Sequence, residues 1–382
     1  MFPGSAERIL TTHTGSLPRP DDLVAQLYAE VSGELNEADR PGLAARVREA
    51  VAESVEQQRE CGLDIVNDGE MGKVSYSTYV TQRLTGYESH EHVPRGARPD
   101  AAAFPRYAEW NARQQASSYA IKRYACTGPV SYVGQEQLQR DLRNLRSAVG
   151  HGARDAFMTA ASPGVIALFQ PNRYYSSFEE YLAALAEAMR SEYEAIVAAG
   201  FVLQLDCPDL TGLSGATEPG KRPADLGVRV EALNHAVRNI APEQMRMHLC
   251  WGNYEGPHHL DVPLHELLRD VLRARPAGLS FEGANPRHEH EWNVFDSVSL
   301  PDGKVIIPGV LDTTTNYIEH PELVCQRLVR YAHRVGREHV IAGADCGFGT
   351  FAGQPMVHPD IVFAKLKAMV EGAEMASREL WG

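Results

Sequence analysis

The chain has 382 residues, 43% hydrophobic and 23% charged, with a formal net charge of −13. This composition is that of an ordinary globular protein, and the acid excess argues against a nucleic-acid partner, which needs a Lys/Arg surplus on some face. No apolar run approaches the ~18 residues that span a bilayer, and Met1 to Arg8 lacks the charged-then-apolar pattern of a secretory leader, so a cytoplasmic protein without membrane contact is expected.

Eight short apolar or β-branched runs read as strands buried on both faces: residues 9–14, 64–67, 156–160, 201–206, 246–250, 278–282, 305–311 and 339–342. Helical patterns lie between them at 40–60, 178–199, 222–238, 264–275, 322–335 and 359–379. Helix-start chemistry stands at Asn172 to Ser177 and at Asp261-Val-Pro263. Such alternation predicts an α/β fold, a (β/α)8 TIM barrel formed as one domain over 1–382. Residues 74–150 are too long for one crossover and read as an insertion after the second strand, partly covering the barrel mouth. Within it, 96–104 reads as loop, 109–118 and 135–148 as helix, and 125–131 as an accessory strand. The rival, a doubly wound dinucleotide-binding sheet, would need a glycine-rich phosphate turn after the first strand, and that turn is missing.

Barrel active sites form where the strands end and the βα loops converge. Applied strand by strand, that rule gathers polar groups at one face. Strand one runs into Thr11-Thr-His-Thr-Gly-Ser-Leu-Pro-Arg-Pro20, strand two into Asn67-Asp-Gly-Glu-Met-Gly72 and strand four into Leu205-Asp-Cys-Pro-Asp209. Strand five carries His248 and Cys250, strand six ends at Glu282, strand seven runs into Leu311-Asp-Thr-Thr-Thr-Asn316, and Cys346 follows strand eight. Residues two apart on a strand share a face, so His248 and Cys250 point into one space. A carboxylate ending an otherwise apolar strand, as Glu282 does, is costly unless paired. Together, His248, Cys250, Glu282 and Cys346 suit a tetrahedral Zn²⁺ site with mixed N/O/S donors.

The remaining candidates have plainer readings. The six cysteines show no disulfide-framework spacing, and Cys61, Cys126, Cys207 and Cys325 read as inert thiols. His258, His259, His288 and His290 lie in hydrophilic segments and read as solvated surface. Asp345 reads as the orienter of a backbone turn. Arg19 and Lys73 are either anion-binding or ordinary surface cations.

These motifs together resemble the catalytic barrel of cobalamin-independent methionine synthases, most closely their short single-barrel relatives. The resemblance runs from Ile9-Leu-Thr-Thr-His-Thr-Gly-Ser16 through Gln57 to Glu70, Leu203-Gln-Leu-Asp206, His248-Leu-Cys250, Gly309 to Asp312, and Asp345-Cys-Gly347. It implies zinc on His248, Cys250, Glu282 and Cys346, with Asp312 completing the reacting centre. It also implies that Ser16, Glu70 and Asp206 grip the amino-acid part of a thiol such as homocysteine, with His13 and Arg19 in the same binding set. Zinc coordination would hold the thiol as its anion, a soft nucleophile towards an alkyl donor, with Glu282 the most labile ligand.

Two departures stand out. The family carries a His shortly after the Asp that ends the seventh strand, where this chain has Asp312-Thr-Thr-Thr315. The long enzymes also have an N-terminal barrel for polyglutamyl folate, for which this chain has no room. The expected partners are therefore a small-molecule thiol and an alkyl donor, which could be folate, a methyl-corrinoid or an epoxide; a homo-oligomer stays open. Epoxyalkane:coenzyme M transferase chemistry, with Arg19 or Lys73 on the sulfonate, is the alternative. A zinc-stabilised barrel without turnover is the second.

Overall fold

The computed structural model describes residues 6–90, 99–114, 123–150, 156–212 and 220–382. Its strands are β1 Leu10–Thr11, β2 Tyr87–His90, β3 Arg123–Cys126, β4 Phe157–Ala161, β5 Val202–Asp206, β6 Met245–His248, β7 Gly278–Phe281, β8 Val305–Pro308 and β9 Ile341–Ala342. Strands β4 to β8 form one parallel sheet in chain order, β1 pairs in parallel with β9, and β2 pairs antiparallel with β3. Parallel neighbours require a crossover, and helices such as Phe178–Ala198, Leu226–Ala236 and Pro321–Val335 supply it. This is the α/β alternation the sequence predicts.

Backbone bonds continue past both edges of the large sheet. Val66 bridges Ala156 in parallel, and Thr11 O accepts from Asp64 N at 3.2 Å and Ile65 N at 3.1 Å. On the other side Ile306 bridges Val340 and Gly309 bridges Gly343. A small core cluster of Ile65, Phe157, Ala277, Val305, Ile307 and Ile341, with Leu10 and Val202 packed on it, joins residues of the large sheet to residues of β1, β9 and the run at 64–67. The larger core lies between the strands and the helices.

Several expected boundaries move, each for a local reason. The run 64–67 makes only the bridge at Val66, because side chains take the place of strand partners. Asp64 Oδ2 accepts from Thr11 N at 2.8 Å, and Gln58 Oε1 accepts from Asn67 N at 2.9 Å. The helix expected at 264–275 is Leu264–Val271; Ala274 N turns back to Val271 O at 3.0 Å, and Pro276 disfavours helix at the residue before it. Its start is not capped by Asp261. Glu291 Oε1, from a distant turn, accepts from Leu264 N at 2.7 Å. By contrast Ser177 does cap the helix Phe178–Ala198, accepting from Glu180 N at 3.1 Å.

Between 74 and 150 the helix Gln135–Val149 lies where expected, the accessory strand is β3, and residues 99–102 form a short helix rather than loop. The helix expected at 109–118 is Pro105–Gln114; residues 96–98 and 115–118 lie outside the described residues. This segment touches the chain after β6: Tyr107 OH donates to Glu255 O at 2.6 Å, Tyr254 OH bonds to Asp100 Oδ2, and Phe104 meets the His259 ring edge-on at 5.3 Å. Among the described residues no helix is long and apolar enough to cross a membrane.

Candidate metal centre and the acidic pocket beside it

Strand alternation builds the site in layers. Val202, Gln204 and Asp206 share a face of β5, as do Arg246, His248 and Cys250 along β6 and beyond, and Ser280 with Glu282 at the end of β7. The lowest layer is the small apolar cluster. Above it the Arg246 guanidinium lies 3.5 Å from the Phe157 ring centroid. It donates to Gln204 Oε1 at 2.7 Å, Thr12 Oγ1 at 2.9 Å and His13 O at 2.7 Å. Gln204 in turn donates to Asp206 Oδ1 at 2.8 Å. The polar groups of interest sit on this platform.

His248, Cys250 and Cys346 are all buried, and their donor atoms lie within 4.8 Å of one another. The two sulfurs are 3.4 Å apart, and both cysteines are free. That separation is far beyond a disulfide bond and near the ~3.8 Å expected of two thiolates on one tetrahedral zinc at ~2.3 Å each. His248 Nδ1 stands 2.9 Å from Ser280 Oγ, while Nε2 is buried with no hydrogen-bond partner. An Nδ1–H donated to the serine leaves the Nε2 lone pair for an ion. Burial, then the Arg246 charge, lowers this imidazole to about 3 and keeps it neutral. The thiol of Cys250 is pushed well up by its bond with Cys346 and by burial. These donors suit a soft dication, and a buried cation would offset the charge of their ionised forms.

Glu282 stands beside this trio rather than in it. Its Oε1 accepts from Trp251 N at 2.8 Å and its Oε2 from Asn285 Nδ2 at 2.8 Å. Burial, then the nearby Cys250, raises the Glu282 carboxyl well above the ordinary range. Cys346 is aimed by its neighbour. Asp345 Oδ1 accepts from Gly283 N and Ala284 N, and its Oδ2 from Asn285 N and Nδ2, all at 2.8 Å. Asp345 is thus the turn-orienting group the sequence suggests, and Asn285 links it to Glu282.

The acidic side of the site is built from the first two strand ends. A Cβ on Gly347 would fall 2.0 Å from Ser16 Oγ, which puts that hydroxyl next to Cys346. Glu70 has φ 57, a left-handed backbone that costs a bulky residue energy and often marks function. Its Oε1 accepts from Thr159 Oγ1 at 3.0 Å, and its Oε2 is buried with no hydrogen bond. Burial, then the charge of Glu70, raises Asp206 to about 8. Two carboxylates therefore face one space with acceptor capacity unused.

The two cations near them are not surface groups. Arg19 and Lys73 are both buried. Arg19 donates to Glu70 O at 3.1 Å and Gly349 O at 2.5 Å, and its Nη2 stands 3.8 Å from Glu70 Oε2. Lys73 donates to Thr159 O at 2.9 Å and lies 4.4 Å over the Tyr79 ring. The surface reading of these cations is corrected: loop carbonyls needed donors, and these two side chains supply them. His13 is buried, and its Nδ1 has no hydrogen-bond partner. Its Nε2 bonds to Gln58 Oε1 at 2.9 Å, its ring meets Phe157 edge-on, and burial lowers it to about 4.

Asp312 is held by its own loop. Its Oδ1 accepts from Thr314 N and Oγ1 at 2.8 Å, and its Oδ2 from Thr315 Oγ1 at 3.0 Å. Asn253 ties three loops together, accepting from Thr313 Oγ1 at 2.9 Å and donating to Gly347 O at 2.7 Å and Thr350 Oγ1 at 3.0 Å. Sequence reasoning passed over Ser280, Asn253 and Asn285, whose types are common in any loop; only the i±2 phase of Ser280 with Glu282 was a usable signal.

His288 also differs from its surface reading. It is buried, 4.3 Å from the Trp251 ring, with Nδ1 2.7 Å from Glu291 Oε2 and Nε2 3.2 Å from Asp261 Oδ2. His258 is half-buried against Asp261, whereas His259 and His290 are exposed as expected.

Comparison with known proteins agrees with this architecture. The catalytic-domain model of the cobalamin-independent synthase family matches residues 163–375. Methionine synthase of Thermococcus kodakarensis is 24% identical over 372 residues, covering 97% of this chain and 94% of its own. That of Sulfolobus acidocaldarius is 23% identical over 371 residues, covering 97% and 93%. In fold the chain is similar to a B12-independent methionine synthase from Shewanella sp. W3-18-1, solved with selenomethionine: TM-score 0.74, 19% identity, covering 98% of this chain and 99% of that one. A family model spanning more than half of the sequence, on a chain that carries the His, Cys, Cys cluster at its strand ends, places this protein in the cobalamin-independent synthase catalytic-domain family.

Proposed function

We propose that this chain is a zinc-dependent thiol alkyltransferase that methylates homocysteine or a close amino-acid thiol. Its strands are inferred to close into one (β/α)8 barrel. The bridges from Val66 to Ala156 and from β8 to β9, together with the apolar cluster they enclose, support that reading. The contacts of Asp100, Phe104 and Tyr107 with the chain after β6 support the segment 74–150 as an insertion over the mouth.

The observation that carries the functional reading is the pairing of two sites. One is a buried His248, Cys250, Cys346 cluster; the other is an adjoining acidic pocket in which Glu70 Oε2 accepts no hydrogen bond. His248, Cys250 and Cys346 would hold zinc, with Glu282 as the fourth ligand if it gives up its bond to Trp251 N or Asn285. Bound zinc supplies the Lewis acidity that keeps an incoming sulfhydryl ionised at neutral pH. Glu70 and Asp206 accept the α-ammonium of the substrate, whose charge lets both carboxyls ionise together. Ser16 Oγ, beside Gly347, hydrogen-bonds the same amino-acid head and sets the sulfur's direction. Arg19 and Lys73 are engaged with backbone carbonyls, which favours an ammonium-bearing thiol over a sulfonate such as coenzyme M.

The test is zinc content and zinc X-ray absorption before and after homocysteine or coenzyme M. One zinc per chain that gains a sulfur scatterer with homocysteine, and loses that response in Glu70→Gln, is expected. Cys250→Ser should abolish zinc binding and transfer together. A zinc shell unchanged by both thiols would sink catalysis in favour of a structural metal, and a response to coenzyme M alone would favour epoxide chemistry.

A further inference from the structure

The loop after β8 lies directly against the thiol centre. Gly309 bridges Gly343 and Asp345 N donates to Leu311 O at 3.0 Å, so Asp312 comes alongside Cys346. The donors of this loop's side chains point inward. Thr314 Oγ1 and Thr315 Oγ1 give their hydrogens to Asp312, at 2.8 and 3.0 Å, and Thr313 Oγ1 gives its hydrogen to Asn253 Oδ1 at 2.9 Å. Asn253 in turn gives its amide hydrogens to Gly347 O and Thr350 Oγ1. What this wall can offer a second substrate is a carboxylate and the lone pairs of hydroxyl oxygens: acceptors and negative charge. His288, the buried histidine over Trp251, has both ring nitrogens against carboxylates, Asp261 and Glu291.

Such a wall suits some leaving groups and not others. A tertiary amine such as methyltetrahydrofolate must receive a proton at nitrogen before it departs, and a positioned acid supplies roughly 10²–10⁴-fold to such a step. A sulfonium ion carries its positive charge already and departs as a neutral thioether. Resting on the thiol-alkyltransferase reading above, we propose that the alkyl donor is a methylsulfonium compound, received by the acceptor-lined loop of Asp312, Thr314 and Thr315. The thiol sulfur forms the new S–CH3 bond while the donor's C–S⁺ bond breaks, and its electron pair goes to the departing sulfide. The thiol proton is released to solvent: RSH + R′2S⁺–CH3 gives RSCH3 + R′2S + H⁺.

The experiment uses the zinc-loaded full chain with homocysteine. Methyl transfer is followed by mass spectrometry from S-methylmethionine, trimethylsulfonium, methyltetrahydrofolate and methylcobalamin, and homocysteine binding is measured separately by calorimetry. Transfer from at least one sulfonium compound, at least about 10-fold faster than from methyltetrahydrofolate, is expected. Thr314→His, which places a titratable N–H in this loop, should raise the methyltetrahydrofolate rate by about 10-fold or more, with a pH optimum near the ~6.5 pKa of an imidazole. Faster transfer from methyltetrahydrofolate or methylcobalamin in the natural protein overturns the proposal. So does no transfer from any donor while homocysteine still binds. Absence of homocysteine binding overturns the thiol-alkyltransferase reading as well.

Discussion

His248 has little freedom once its second nitrogen is held. Ser280 Oγ holds the ring's angle about the strand through Nδ1, which leaves the partnerless Nε2 to the two thiols. Ser280→Ala should therefore weaken zinc binding by about 10- to 100-fold, the usual effect of losing such a supporting bond, while the fold stays intact. Chelator competition against circular dichroism separates the two effects; unchanged zinc affinity would show that the serine does not orient the ring. His288 yields a pH prediction. Burial works against its charge, but hydrogen bonds to Asp261 and Glu291 and the charge of Glu282 win, raising the ring to about 10 from 6.5. A folded-state pKa above the unfolded one means stabilisation that is complete below pH ~6.5 and lost as pH rises through about 10. Urea unfolding of the natural chain and of His288→Gln should differ by on the order of 3–5 kcal/mol near pH 6 and converge above pH 10. A difference that stays constant with pH would refute the ion pairing. Its burial was not legible in the sequence, because a histidine among Asn285, Arg287 and Glu289 looks solvated until Trp251, from the chain after β6, is laid over it.

At the scale of elements, the strand ends place the chemistry and their spacing is tight. A Cβ on Gly309 would meet Asp345 Oδ1 at 2.0 Å and Asp345 Cα at 2.7 Å. Gly309→Ala should push the segment after β9 away from β8, breaking the amide cradle around Asp345 and moving Cys346 off the metal position. The expected result is loss of about 2 kcal/mol or more of stability together with most zinc binding. Stability and zinc content both unchanged would mean the two strands part without cost. The strands themselves were readable because a parallel strand covered on both faces must be apolar along its length, and seven of the eight predicted runs overlap observed strands. The eighth, 64–67, was read correctly in place but not in kind, since Gln58 and Asp64 side chains replace ladder partners. Where a side chain stands in for a main-chain bond, local pattern carries no signal.

Across the molecule, a buried charge network ties the segment after Lys73 to the helix Phe178–Ala198. Glu192 accepts from Tyr79 OH at 2.8 Å, Arg83 Nη1 at 3.0 Å and Tyr132 OH at 2.7 Å, and Arg83 also pairs with Asp141. Burial opposes the Glu192 charge, yet Arg83 and its neighbours hold its carboxyl below the ordinary range. Glu192→Ala leaves the guanidinium and two phenols short of a partner and should cost roughly 3–5 kcal/mol. Denaturant midpoints measure this. A loss under about 1 kcal/mol would show that water or Asp141 takes over.

Strand phase and residue type were enough to set the α/β alternation and to bring His248, Cys250 and Cys346 to one end, because period-two alternation and the ends of parallel strands are local consequences of backbone geometry. Which atoms face one another came from elsewhere. That Arg19 and Lys73 are buried on carbonyls, that Glu282 is held by Trp251 and Asn285, and that the threonines turn their hydrogens to Asp312 all depend on groups far apart in the chain. A buried polar atom must find a partner wherever the packing puts one, and no pattern along a single strand records where that is.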